Sequence, residues 1–432
     1  MKKISSLIQR NHIALFFIVV NLVGLFTSRI VMSNGMIWFF ALALIPNSIL
    51  SIFIEREQHS IAFKEQITGF IKYKPFLAQL SIVAVALFGC IYSTDLSNSF
   101  KVITTYSPFL FMPIAFGAIK AFTKKQFIFI LYAYTSIVFI ATIIILINYF
   151  LHYDSINIGL KQGQAIPTPY HEHIRFSLMI CFSICSLIYL ALKNYSISNM
   201  KIEKRIQLIM ICCLVICIHV LSVRSGILSL YICLMAIASY IIIYYKKYLL
   251  GLCIITFIII APIVSYSLIP SVQNKINYML WDLDQMKNNN AKNYSDAERI
   301  TSIVAGWKIV QKHPLIGVGT GDLKQKMNQV YEQDYKWLAN KNRKMPHNQW
   351  VWLWASNGIL GVLSLLFSIL YALFYRKQYK NILLICFFII TISSFLYEHT
   401  LQTQVGVAFY VVSLLIMLNY LRGKENVDEN RI

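Results

Sequence analysis

Arg224, Arg299 and His347 are the residue types needed to hold an anion and to move a proton. Arg224 lies in Ser222-Val223-Arg224-Ser225, between two long apolar runs. A charge at the centre of a membrane span costs about 2.5–3.5 kcal/mol, less toward the edge, so an arginine kept there either functions or anchors to headgroups. Its planar fork of donors fits a pair of phosphate oxygens. Arg299 follows Ser295-Asp296-Ala297-Glu298, the spelling of a capping box at a helix start. It reads as an interfacial arginine reaching for headgroups, or as a functional cation. His347 stands between Pro346 and Asn348, where an apolar run begins. An imidazole of pKa about 6.5 is the usual general base near neutrality; the alternative is a histidine that caps the incoming helix. Arg175, beside His171 and His173, is a further candidate phosphate contact.

Other polar groups carry less. Gly317-Val318-Gly319-Thr320-Gly321 has the look of a phosphate cradle, but it lacks the P-loop lysine and follows no strand. It reads as a turn after Pro314. Asp282-Leu283-Asp284 spells the D-x-D of metal-dependent sugar transferases, a triplet common by chance. His171 and His173 are two apart and fall on different sides of a helix, so no metal site is assigned. Glu398 and His399 form an extra polar pair near the end of the chain. All nine cysteines lie inside apolar runs, where they read as small buried side chains, with no disulfide framework or zinc spacing.

These residues need elements to carry them. The chain has 432 residues, 57% hydrophobic and 13% charged, against about 25% charged in a soluble domain. Apolar runs of membrane-spanning length recur throughout. The expected fold is all-α and polytopic, with twelve spans. The first runs from Ile13 to Met32 as an uncleaved helix, the second from Met36 to Ile54, the fourth from Tyr106 to Phe122. By domain, residues 1–269 hold spans one to nine and residues 270–348 a large outer loop with amphipathic helices. Residues 349–421 hold spans ten to twelve, and 422–432 form a tail. The amphipathic stripe on the loop is Ile300, Ile303, Val304, Trp307 and Val310, and Pro314 stops that helix. Lysine and arginine crowd the loops after every second span, which puts both termini in the cytoplasm. The net charge of +21 is therefore a topology signal, and nucleic acid is not an expected partner. Arg224, the 270–348 loop and the His171 loop all fall on the outer face.

The sequence from Ser222 to Gly361 resembles the O-antigen ligase and O-antigen polymerase superfamily. The resemblance rests on a serine-flanked arginine at an outer helix end and on D-x-E-R, a tryptophan and H-P-L-I-G-V-G-T-G in a long outer loop. H-N then opens a span that contains A-S-N-G-I-L-G. It implies a glycosyltransferase of the bacterial inner membrane, taking a glycan from undecaprenyl pyrophosphate on the periplasmic side. Ligases pass the glycan to lipid A–core; polymerases extend another lipid-linked glycan. The family's two arginines fall on Arg224 and Arg299 and its histidine on His347; Arg175 and Asn348 are further candidate substrate contacts read from their chemistry and position. Neither metal nor cofactor is implied. A pyrophosphate leaving group needs its negative charge stabilised, and a sugar hydroxyl needs a base; this residue set supplies both. The competing class is a lipid-linked glycan flippase, which would place ionisable residues deep within spans; such residues are nearly absent here.

The charge ladder is checked by thiol labelling. A single cysteine at Asn340 should react with an impermeant reagent in intact spheroplasts, and one at Ser198 only after permeabilisation. The opposite pattern would place the candidate residues in the cytoplasm.

Overall fold

In hydrocarbon a chain has to satisfy its own backbone hydrogen bonds, which helices do without help. The computed structural model describes residues 10–46, 63–287 and 295–429, and among them it contains helices and no strand. In chain order these are α1 (Arg10–Thr27), α2 (Arg29–Leu44), α3 (Phe63–Lys72), α4 (Lys74–Ile91), α5 (Leu96–Tyr106) and α6 (Pro108–Ala118). There follow α7 (Lys124–Leu151), α8 (Tyr153–Lys161), α9 (His173–Leu192), α10 (Met200–Leu221), α11 (Arg224–Tyr245) and α12 (Tyr248–Leu268). The last six are α13 (Pro270–Lys287), α14 (Ser295–Lys312), α15 (Leu323–Asp334), α16 (Gln349–Phe374), α17 (Ile382–Tyr397) and α18 (Gln404–Glu429).

Among the described residues, nine helices are long and apolar enough to cross a membrane. Of the other three expected spans, two fall on the shorter helices α6 and α17; the second overlaps the end of α2, and its residues 47–54 lie outside the described residues. The first turn also moves. It is at Ser28, whose hydroxyl accepts from Ile30 N, and not near residue 34. Gly24 and Gly35 instead let α1 and α2 approach: a Cβ on Gly24 would lie 2.2 Å from Met32 N. The fourth expected span starts at Pro108 and not at Tyr106, because Ser107-Pro108 separates α6 from the short α5 ahead of it. The 270–348 stretch is mostly helix, carrying α13, α14 and α15, and its Asn288-Asn289-Asn290 run lies outside the described residues. The cysteines are all free, but Cys212 and Cys253 are exposed on helix faces.

Contacts at the helix ends sort the connections into two groups. At one end Gln378 reaches Tyr73 and Glu425, and Arg422 reaches the carbonyls of Gly117 and Ile119. At the other, Arg29 pairs with Glu172, and Asp322 accepts from Thr94 and Asp95. The connections near residues 73, 117–119, 378 and 422 therefore share one end of the bundle, and those near 29, 94, 172 and 322 share the other. Helix α9 is 83% buried and the spanning part of α18 is 94% buried, so these two form the centre. Their apolar residues run all round the helix, as burial on every side demands.

Gly358 breaks α16, at φ 66° and ψ −162°. Ile359 N turns away and donates to Pro314 O at 3.1 Å. The carbonyls of Ala355 and Ser356, left without helical partners, accept from Val318 N (3.0 Å) and Gly319 N (2.9 Å). The glycine turn is therefore a seal on a broken helix, not a phosphate cradle. Thr320 locks it to α4, its hydroxyl donating to Ala86 O at 2.7 Å while Asn357 Nδ2 donates to the same hydroxyl at 2.8 Å. Gly317 sits at φ +71°, and a Cβ there would lie 2.5 Å from Gly358 N; a Cβ on Gly358 would lie 2.1 Å from Leu315 O. A left-handed backbone alone costs an L side chain about 1–2 kcal/mol. Gly317→Ala and Gly358→Ala should each lower the thermal unfolding midpoint of the detergent-solubilised protein by several degrees. Wild-type melting in both would show that the seal is dispensable.

Candidate functional site

Helix ends at one end of the bundle surround a cavity of about 530 Å³. Arg224, Arg299 and His347 all line it, with His173, Lys275 and Tyr397 as further polar walls. The sequence-level trio is thus brought together from three separate elements.

Arg224 is placed by a two-residue turn. Ser222 adopts a left-handed conformation (φ 53°, ψ 33°) at the end of α10. Its short side chain offsets part of that cost by donating to His219 O at 2.9 Å. Arg224 then opens α11, where side chains lean back toward the helix start and so toward the cavity. Gly226 draws this end against α9, since a Cβ there would lie 2.4 Å from Ser177 Oγ.

Arg299 is half-buried near the start of α14, and its buried Nε has no hydrogen-bond acceptor among the described residues. The side chain of Ser295 lies outside the described residues, and Glu298 pairs with Lys344 at 2.7 Å. Two apolar faces run along α14. Ala305, Ile309 and Val310 are buried, whereas Ile300, Val304 and Trp307 are exposed. Ser302 ties this helix to the histidine: its hydroxyl donates to Arg299 O (2.7 Å) and accepts from His347 N (3.2 Å).

His347 meets an acid that the sequence offered only as an extra pair. Its Nδ1 lies 3.2 Å from Glu398 Oε1, and His399 Nδ1 lies 3.3 Å from the same oxygen. Both pairs have ion-pair distance but not hydrogen-bond alignment. Burial pushes the Glu398 carboxyl up, but His347, His399 and Arg175 outweigh it and hold its pKa down at about 2. Burial drives His399 down to about 4 despite the Glu398 charge, with His347 and Arg175 pushing the same way.

Arg175 and Asn348 are engaged elsewhere and do not line the cavity. Arg175 is buried behind it and pairs with Glu172 at 3.3 Å, which also takes Arg29. Asn348 caps α16, accepting from Val351 N at 3.0 Å and donating to Leu396 O at 3.1 Å. Asp282 is buried and Asp284 exposed, as expected two residues apart on α13. His173 reaches the cavity; the His171 side chain lies outside the described residues. Among the described residues, two groups bring three ligand atoms within 4.8 Å of one another: His347, Glu398 and His399; and Cys181, Cys185 and Cys233. Arg175 beside Glu398 makes the first a poor cation site, and the second is closed off in the apolar core.

A second lobe of about 310 Å³ shares Arg224, Ser222 and Lys275 with the first. Its walls are largely apolar, including Ile227, Pro262, Ile276 and Met279. Arg224 therefore stands where a chamber of mixed polar and apolar lining meets a greasier one. Lys275 was not singled out in the sequence. Its ammonium donates to Gly163 O and Gln164 O, so it also holds the lobe's rim.

Acid should loosen this site in two windows. His399 is depressed, so the stability it contributes is present above about pH 6.5 and lost as pH falls toward 4. Glu398 is depressed too; its contribution is present above about pH 4.5 and lost as pH falls toward 2. Thermal midpoints followed from pH 7 to 3 should fall in the wild type, and His399→Gln should flatten the upper part of that fall. An unchanged upper limb would show that His399 is not held neutral by burial.

The sequence model of the O-antigen ligase family matches residues 208–366. No curated protein matches the chain. Arg224, Arg299, Ser302, His347 and the Gly358 break all fall inside the matched stretch, whereas Arg175, Glu398 and His399 fall outside it. This is a multi-pass membrane protein whose central stretch, residues 208–366, is similar to the O-antigen ligase family, which supports a place in the O-antigen ligase and polymerase superfamily.

Proposed function

We propose that the chain transfers a glycan from undecaprenyl pyrophosphate to a sugar hydroxyl of lipid A–core, at the periplasmic face of the bacterial inner membrane. The observation that carries this reading is the convergence of two arginines and a histidine on one cavity, with Arg299 Nε buried and lacking an acceptor among the described residues. An anion is the natural complement of such a donor.

In this reading Arg224 and Arg299 bind the pyrophosphate and stabilise the charge that develops on it. The adjoining apolar lobe takes the start of the lipid tail, so that Arg224 stands at the junction of lipid and phosphate. His347 accepts the proton of the attacking hydroxyl. The hydroxyl oxygen forms a bond to the anomeric carbon, the bond from that carbon to the pyrophosphate oxygen breaks, and its electron pair leaves on the phosphate. Direct displacement inverts the anomeric centre. No step calls on a metal, because two guanidinium groups can supply the required charge.

Purified protein turning over lipid-linked glycan tests the reading. Arg224→Lys and Arg299→Lys keep the charge but lose the fork, so each should fall at least about tenfold in rate. His347→Ala should lose about 10²-fold or more while still binding donor. Wild-type turnover in both lysine variants would reduce the arginines to anchors; wild-type turnover in His347→Ala would remove the base. The envelope of a deletion strain separates acceptors. Uncapped lipid A–core with accumulated lipid-linked polymer marks a ligase, and single-repeat capping marks a polymerase.

A further inference from the structure

We infer that Glu398, outside the matched family stretch, is the positioning residue of His347: it fixes which ring nitrogen faces the cavity and stabilises the ring once protonated. The inference rests on the proposed transfer for its kinetic part only.

Glu398 ends α17 in extended conformation (φ −154°, ψ 151°), with its own N–H on Ser394 O at 2.9 Å. Its residue is 5% exposed, and one carboxylate oxygen lies within 3.2–3.3 Å of Nδ1 on both histidines. A carboxylate only accepts, so the ring nitrogen beside it is held in the protonated form. That leaves Nε2 of His347 as the nitrogen with a lone pair, and His347 lines the cavity. The out-of-line approach of Nδ1 is the geometry of a resting site, since such bonds often tighten when substrate is bound.

The other charges around Glu398 keep it ionised. His347 comes from the strap before α16, His399 from the turn after α17, and Arg175 from α9. Arg175 is itself steadied by Glu172. His399 packs edge to face on His347, with centroids 5.0 Å apart and planes at 73°, and so bars rotation of the ring. When Nε2 of His347 takes the hydroxyl proton, the cationic ring lies beside a formal negative charge, and no proton needs to pass to Glu398.

Full-length protein with ¹⁵N-labelled histidine, purified in detergent, provides the test, with the His347 signals assigned by their loss in His347→Gln. At pH 8 the wild type should show His347 protonated on Nδ1 and bare on Nε2. Glu398→Gln keeps the shape without the charge, and Glu398→Asp keeps the charge on a shorter arm. Glu398→Gln should blur the tautomer preference and lower kcat about 10²-fold with little change in KM, and Glu398→Asp should recover part of both. An unchanged His347 tautomer in Glu398→Gln would overturn the inference even if kcat fell, because the loss would then come from packing. Unchanged kcat would overturn it too. If no glycan transfer is found in the wild type, the proposed function fails, while the ring-nitrogen readout still decides the role of Glu398.

Discussion

The exchange of backbone partners at Gly358 is the constraint from which the rest of the site follows. An unsatisfied carbonyl in hydrocarbon costs several kcal/mol, so a broken membrane helix has to be sealed by protein. The 317–321 turn does this by donating Val318 N and Gly319 N to the freed carbonyls, and its glycines let two backbones touch. Once docked, the turn fixes the end of α14 against the middle of α16. Helix α14 carries Arg299 and Ser302, and His347 lies just ahead of α16. Arg299 and His347 thus share a common anchor at least eight residues along the chain from either.

Charge is arranged around the site in alternation. Arg29, Glu172 and Arg175 form a chain of ion pairs behind the cavity, and Arg175 lies beside Glu398, which in turn faces His347 and His399. Each cation in this chain has an acid beside it, which is the condition for keeping charge near an apolar core. Arg299 breaks the alternation at its Nε. The proposed pyrophosphate would complete the pattern on the cavity side.

Much of this could be read from the sequence, and the parts that could not have clear causes. Long apolar runs gave the helices, because spanning length follows from composition alone. The turn at Ser28 falls inside the run assigned to the first span, and Gly35 beyond it serves close packing of α2 against Asn21. Arg175 and Asn348 were read as contacts from chemical type; in the fold Arg175 pairs with Glu172 and Asn348 caps α16. Ser302, Lys275 and the full part played by Glu398 were beyond reach. Glu398 lies 51 residues after His347, and an acid at a helix end is unremarkable until the fold returns it to the histidine.

Helix α12 supplies Pro262 and Ser265 to the apolar lobe, yet only 11% of its spanning window is buried within the protein. It leans on α11 and α13 and otherwise faces outward. One wall of the greasy chamber is therefore backed by the bilayer and not by the fold. Its 21 residues span about 31 Å as a helix, close to the thickness of a hydrocarbon core. Acyl-chain length and lateral pressure thus enter the shape of the chamber directly. The membrane acts on this protein as a structural subunit would, and lipid composition becomes a variable of the site itself.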